Sequence, residues 1–164
     1  MRVLLLNPPA SVVANRDYYC SKRTKSNYLF QPIDLVMQSG MLAPEHELSA
    51  LDATARRMPP AAALDEIERL KPQAILGLWG AATNTEDLNF YRALRGRTDA
   101  PIIVSGEVFL SDPAGWLRER PFVDGALLRF ISTGLRDWLR TGAPGPDLVV
   151  RAGDGFAYGS PLSF

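Results

Sequence analysis

Short apolar runs at residues 3–6, 74–79, 101–104 and 124–128, and a weakly alternating stretch at 46–51, recur along this chain, with helix-like segments between them. Runs this short with continuous rather than alternating hydrophobicity fit strands covered on both faces. Their regular exchange with helical patterns calls for a parallel sheet with helices on both sides. The intervening segments carry their own signals. Pro32 occupies a first-turn position ahead of Ile33, Leu35, Val36, Met37, Met41 and Leu42, and Pro44 closes that helix. Leu64, Ile67 and Leu70 recur at three-residue steps within residues 61–71. Thr83 and Glu86 have capping-box spacing before Leu88, Tyr91 and Leu94. Ser111-Asp112-Pro113 reads as a cap for a helix holding Trp116 and Leu117. Ser132 is placed to cap the last helix, through Leu135, Trp138 and Leu139, which Gly142 ends.

The expected architecture is therefore α/β: a flavodoxin-like (Rossmann-like) doubly wound parallel sheet of five strands over residues 1–142. From Ala143 the composition changes. Pro144, Gly145 and Pro146 precede a short apolar run, and Gly153-Asp154-Gly155 is a turn signal, so residues 143–164 read as a hairpin or an exit linker.

At 164 residues and 46% hydrophobic, the chain is long enough for one core. Its 18 basic and 18 acidic residues create no field to draw in nucleic acid or an anionic membrane. The opening Val3-Leu4-Leu5-Leu6 is too short for the apolar part of a signal peptide and no run nears bilayer length, so the expectation is a cytoplasmic protein. Cys20 is the one cysteine, which rules out an internal disulfide, a thiolate zinc site and an iron–sulfur cluster held by this chain alone.

In such sheets ligands lie beyond the carboxyl ends of the strands, so the loops at residues 7–32, 79–85, 105–111 and 129–132 are the ones to search. No glycine occurs between the first strand and Gly40, so neither a dinucleotide fingerprint nor a P-loop is present there. Asn7 and Trp79 stand where a phosphoacceptor receiver domain needs acids. His46, the single histidine, falls at the opposite edge, which leaves no base for a hydrolytic triad. A thiolate at Cys20 beside Lys22 and Arg23 is the remaining catalytic option, and it too lacks a base in its own loop.

What the edge does offer is small: Gly77 and Gly80 to Thr83 bring exposed backbone and a hydroxyl to a helix start, and Gly106 follows the fourth strand. The stretch RDYYCSKRTKSNYLFQP, residues 16–32, adds aromatics and four cations. It suits either a large cofactor with an apolar face and an anionic tail, or docking onto another domain.

Taken together, RVLLLNPP, the Pro32-Ile33-Asp34-Leu35 helix start, LDA at residues 51–53, LKPQAILGLWGAATNTED and PIIVSGEVF resemble the amino-terminal cobalamin-binding domain of cobalamin-dependent radical S-adenosylmethionine (radical SAM) enzymes. The resemblance runs through about Arg129, and YGSP near the end looks like that family's linker toward its radical domain. It implies cobalamin held over the carboxyl edge, with S-adenosylmethionine and a 4Fe-4S cluster in a radical SAM domain in cis. That domain's CxxxCxxC motif is not found in this sequence, so the chain alone is expected to bind and not to catalyse.

The cofactor contacts implied are Asn7, Tyr18, Tyr19, Trp79, Gly80, Ala81, Thr83, Ser105, Gly106 and Glu107, with no catalytic residue and no metal ligand. The Asp-x-His-x-x-Gly signature of classical cobalamin-binding domains is absent, as it often is in the radical family, and the sequence departs from the family pattern where Ser105-Gly106 stands for two glycines and Arg129-Phe130 for Gly-Glu. The alternative reading is a cofactor-free flavodoxin-like interaction module that uses residues 16–31 to recruit another chain.

Overall fold

A computed structural model describes residues 1–18, 20–23 and 29–161. In chain order the elements are β1 (Arg2–Asn7), β2 (Ala14–Asp17), β3 (Cys20–Arg23), α1 (Ile33–Leu42), β4 (Glu47–Asp52), α2 (Pro60–Leu70), β5 (Ala74–Leu78), α3 (Asn84–Arg95), β6 (Ile102–Ser105), α4 (Pro113–Arg118), β7 (Gly125–Leu127), α5 (Gly134–Thr141), β8 (Leu148–Ala152) and β9 (Gly155–Tyr158). One sheet of seven strands runs β4-β1-β5-β6-β7-β8-β9. Its parallel part, β4-β1-β5-β6-β7, has the flavodoxin-like order, with the direction of winding reversing between β1 and β5.

The two further strands come from the carboxyl-terminal segment. β8 pairs antiparallel with β7 and β9 with β8. The hairpin signal at Gly153-Asp154-Gly155 thus continues the main sheet, which makes seven strands where five were expected. A second difference lies in the connection after β1. It holds a two-stranded antiparallel ribbon, β2 with β3, in which Asp17 pairs with Cys20 and Ala14 with Arg23.

Alternate residues of each strand feed two cores, one per face. Leu4, Leu6, Ile75, Ile102 and Val104 join α2, α3 and α4, while Val3, Leu5, Leu76, Leu78 and Ile103 join α1 and α5. Gly77 lies on the α3 face because a Cβ there would overlap the hydroxyl of Tyr91, a fully buried ring whose Oη donates to the Leu78 carbonyl at 2.8 Å. Gly77→Ala is expected to destabilise by roughly 1 to 3 kcal/mol through overpacking. Tyr91→Phe in the same chain should return part of that loss in urea denaturation. An unchanged midpoint for Gly77→Ala would mean that Tyr91 does not pack there.

Two expected caps resolve differently. Asp112 caps α4 by accepting the Gly115 N–H at 2.9 Å, as its position before Pro113 suggested. Thr83 does not cap α3, although it precedes Asn84. Its hydroxyl donates to Asp87 at 2.7 Å, and Glu86 accepts from Ser11, so neither half of the capping box is made. Gly142 ends α5 with φ 78, the left-handed conformation that glycine adopts without steric cost.

Candidate functional site

The carboxyl edge is organised by Arg16, which β2 carries back over the strand ends. Its guanidinium is buried and every nitrogen is committed. Nη2 and Nε reach Asp87 at 2.8 and 3.1 Å, and Nε also reaches Thr83 Oγ1 at 3.0 Å. Nη1 donates to Asn7 Oδ1 at 3.0 Å, to the Pro8 carbonyl at 3.0 Å and to Thr54 Oγ1 at 2.9 Å, and Nη2 to the Pro9 carbonyl at 3.2 Å. Burial pushes the Asp87 carboxyl up, while Arg16, the Gly80 N–H and the Thr83 hydroxyl favour its charged form. One side chain therefore ties together the ends of β1, β4 and β5. The crevice where the winding reverses is filled by the protein's own ribbon, with Ser21 accepting the Ala82 N–H at 3.4 Å. Arg16, one of the four cations of the stretch at residues 16–32, is a structural tie within the protein itself.

Beside this tie, toward β6 and β7, lies a second cluster. Asp34, in the first turn of α1, is buried. Its Oδ2 accepts the Tyr18 N–H at 3.1 Å and the Ser105 hydroxyl at 3.4 Å. Asp17 accepts the Ile33 N–H at 3.0 Å, so the end of β2 and the start of α1 exchange carboxylate-to-amide bonds. Burial first, and then the neighbouring Asp17 charge, raise the Asp34 carboxyl to about 7, and burial also raises Asp17.

The residues singled out from the sequence fall into distinct groups. Asn7, Thr83 and Ser105 are buried and hold the edge from beneath, Asn7 also donating to Asp52 at 2.9 Å. Trp79 is fully buried, and its ring is a core ring rather than an edge group. It stacks on Tyr91 at 5.2 Å and meets Trp116 edge-on at 4.7 Å, and Nε1 donates to Asn84 at 2.8 Å. Gly80 and Gly106 are required by packing. A Cβ at Gly80 would crowd Ser21, Arg16 and Thr83, and one at Gly106 would overlap the Trp79 carbonyl. Ala81 is exposed, Tyr18 and Glu107 are half-buried, and Tyr19 lies outside the described residues. Asp34 and Gln38 join the edge without having been singled out, since an acid in a first helical turn reads as ordinary.

The donor set at this edge is amides, hydroxyls and carboxyls. His46 precedes β4, at the opposite edge. Among the described residues no group of three or more histidine, cysteine, aspartate or glutamate side chains could hold a metal ion. No helix among the described residues is long and apolar enough to cross a membrane.

No family model matches the chain, and no curated relative matches it by sequence. Its fold is similar to that of the radical S-adenosylmethionine methyltransferase TsrM from Kitasatospora setae, in a structure with cobalamin and a [4Fe-4S] cluster bound. The TM-score is 0.69 at 18% identity, covering 99% of this chain and 29% of that one. A second TsrM structure, with tryptophan substrate and the SAM analogue aza-SAM bound, gives a TM-score of 0.69 at 18% identity over 99% and 30% of the two chains. The cobalamin-dependent S-adenosylmethionine radical enzyme OxsB, with aqua-cobalamin and S-adenosylmethionine bound, gives 0.63 at 12% identity over 99% and 22%. The chain spans under a third of the length of these enzymes and shares its whole fold with a part of each.

Proposed function

We propose that this chain is a cobalamin-binding domain of a radical SAM enzyme, holding the corrin over the carboxyl edge of its sheet. The observation that carries this reading is the fold match over 99% of the chain to enzymes whose structures contain cobalamin. It is supported by an edge of small residues and hydrogen-bonding groups. Cobalamin supplies the methyl-transfer or radical chemistry of the intact enzyme; this chain supplies the seat.

Tyr18, Tyr19, Gly80, Ala81, Gly106 and Glu107 are the proposed contacts. Asn7, Thr83 and Ser105 act beneath them through the hydrogen bonds described above, and Trp79 keeps the β5 turn rigid by packing. The chain beyond β9 is then the passage to a radical SAM domain that carries S-adenosylmethionine and the 4Fe-4S cluster, in a cytoplasmic protein with no nucleic-acid partner.

Absorbance titration with hydroxocobalamin, checked by equilibrium dialysis, tests the assignment. Saturable one-to-one binding with a shifted corrin spectrum is expected. Ala81→Arg, a change at an exposed position that leaves both cores intact, should weaken binding tenfold or more without lowering the melting temperature. Absence of saturation at high micromolar cofactor would overturn the reading.

A further inference from the structure

Asp87 and Asp34 are both buried at the carboxyl edge, and they differ in one respect. Asp87 faces a guanidinium, whereas among the described residues Asp34 faces no cation. The groups that face Asp34 are the Asp17 carboxylate at the end of β2, the Tyr18 N–H just beyond it and the Ser105 hydroxyl on β6. The charge that acts on Asp34 thus has its own sign, and its Oδ1 is buried with no hydrogen-bond partner among the described residues. A carboxylate so placed is costly, and burial raises the group to about 7, so it holds its proton below that pH.

One helical turn further along α1, Gln38 is fully buried. Its Nε2 donates to the carbonyls of Phe130 and Ser132, the latter at 2.8 Å, in the loop after β7. Those two carbonyls fix which end of the amide is nitrogen. They leave Gln38 Oε1 buried with no partner of its own among the described residues. Asp34 and Gln38 share a face at i and i+4, both are bonded to the strand-end side of the sheet, and each keeps one unsatisfied oxygen. Buried polar atoms are rarely left unpaired, and each orphan costs about 1 to 3 kcal/mol.

We propose that Asp34 and Gln38 form an amide-reading pair, in which Asp34 as a neutral acid donates from Oδ1 to the carbonyl oxygen of a ligand primary carboxamide and Gln38 Oε1 accepts its N–H. The inference rests on the cobalamin reading, because the corrin edge is ringed with such amides. A primary carboxamide presents one acceptor and its donors on a single planar group, the complement of one O–H and one C=O. A carboxylate in the same place offers Gln38 no donor and is repelled by Asp17. The pair therefore selects the amidated macrocycle over its hydrolysed forms.

The test uses cyanocobalamin, whose axial ligands do not titrate near neutrality, and the corrin monocarboxylic acids in which one amide is hydrolysed. Affinity is measured from pH 5.5 to 8.5 for the wild type, Asp34→Asn and Gln38→Leu. For the wild type, Kd is expected to rise toward tenfold per pH unit above about 7, where Asp34 loses its proton. Asp34→Asn keeps an N–H donor and should lose that dependence. Gln38→Leu should bind about tenfold more weakly at low pH, and should no longer distinguish the amide from the acid that the wild type rejects.

Binding that is flat with pH in the wild type and unchanged by Gln38→Leu would overturn the pair, leaving those oxygens to water only. No binding at any pH would overturn the cofactor reading, and the pair with it. The carbon-13 carboxyl signal of Asp34 in the cofactor-free protein separates the two failures. An Asp34 already ionised at pH 5.5 removes the donor whatever the cofactor does.

Discussion

Arg16→Met is expected to cost roughly 3 to 5 kcal/mol of folding free energy, a large part of the stability of a domain this size. Both partners of the Arg16–Asp87 pair have fully buried side chains. Removing the guanidinium leaves the Asp87 carboxylate without its counter-charge, and it also strips the donor from Asn7, Thr54 and the carbonyls of Pro8 and Pro9. A neutral residue of similar length keeps the packing of the stem, so the loss reads the polar network rather than a cavity. Urea denaturation at pH 7 gives the result as a lowered midpoint with unchanged slope. The double variant Arg16→Met, Asp87→Leu should recover more than half of the loss, because no buried charge then stands alone. A single-variant cost under 1 kcal/mol would mean that water reaches this pair.

Asp34→Asn is expected to act in the opposite direction and only over part of the pH range. The carboxyl of Asp34 is raised to about 7 in the folded chain, whereas an unfolded aspartate titrates near ~4. Between those values the folded state holds a proton that the unfolded state has released. Stability from this group is therefore complete below pH ~4 and is lost as the pH rises toward 7. The full window corresponds to at most about 4 kcal/mol. Asparagine carries no charge at any pH, so the variant should melt higher than the wild type at pH 8 and show a flatter profile from pH 5 to 8. Coincident profiles for the two proteins across that range would show that Asp34 is already ionised in the wild type at pH 5.

The parallel sheet was legible because strands buried on both faces must be short and apolar throughout, and the runs at residues 3–6 and 74–79 have no other use in a chain of this length. The edges of those strands moved by a residue or so, as hydrogen-bond registers move relative to hydrophobic runs. Trp79 could have been placed better from period alone. It shares alternation with Ile75 and Gly77, and that face is the one that packs against α3. The ribbon of β2 and β3 was not legible, since four-residue strands rich in charge have no apolar pattern. What holds them is tertiary: Arg16 to Asp87, and Ser21 to Ala82. Thr83 misled for a related reason. Its spacing to Glu86 satisfies a local rule, but a buried aspartate four residues on claimed the hydroxyl. The orphaned oxygens of Asp34 and Gln38 leave no trace in sequence, because an unsatisfied atom is defined by what three other elements fail to bring to it.

The Arg16–Asp87 tie spans 71 positions of sequence, and its two ends belong to elements that cannot meet until β1, β5 and the start of α3 are assembled. On a growing chain Arg16 must therefore wait for some seventy further residues before its charge has a counterpart. A contact of this sequence separation is expected to form after the barrier, where it governs how long the folded state lasts rather than how fast it is reached. In stopped-flow kinetics the loss caused by Arg16→Met should fall on the unfolding limb, leaving the refolding rate close to that of the parent. The basic stretch that precedes α1 is in this sense a clasp, shut last and opened first.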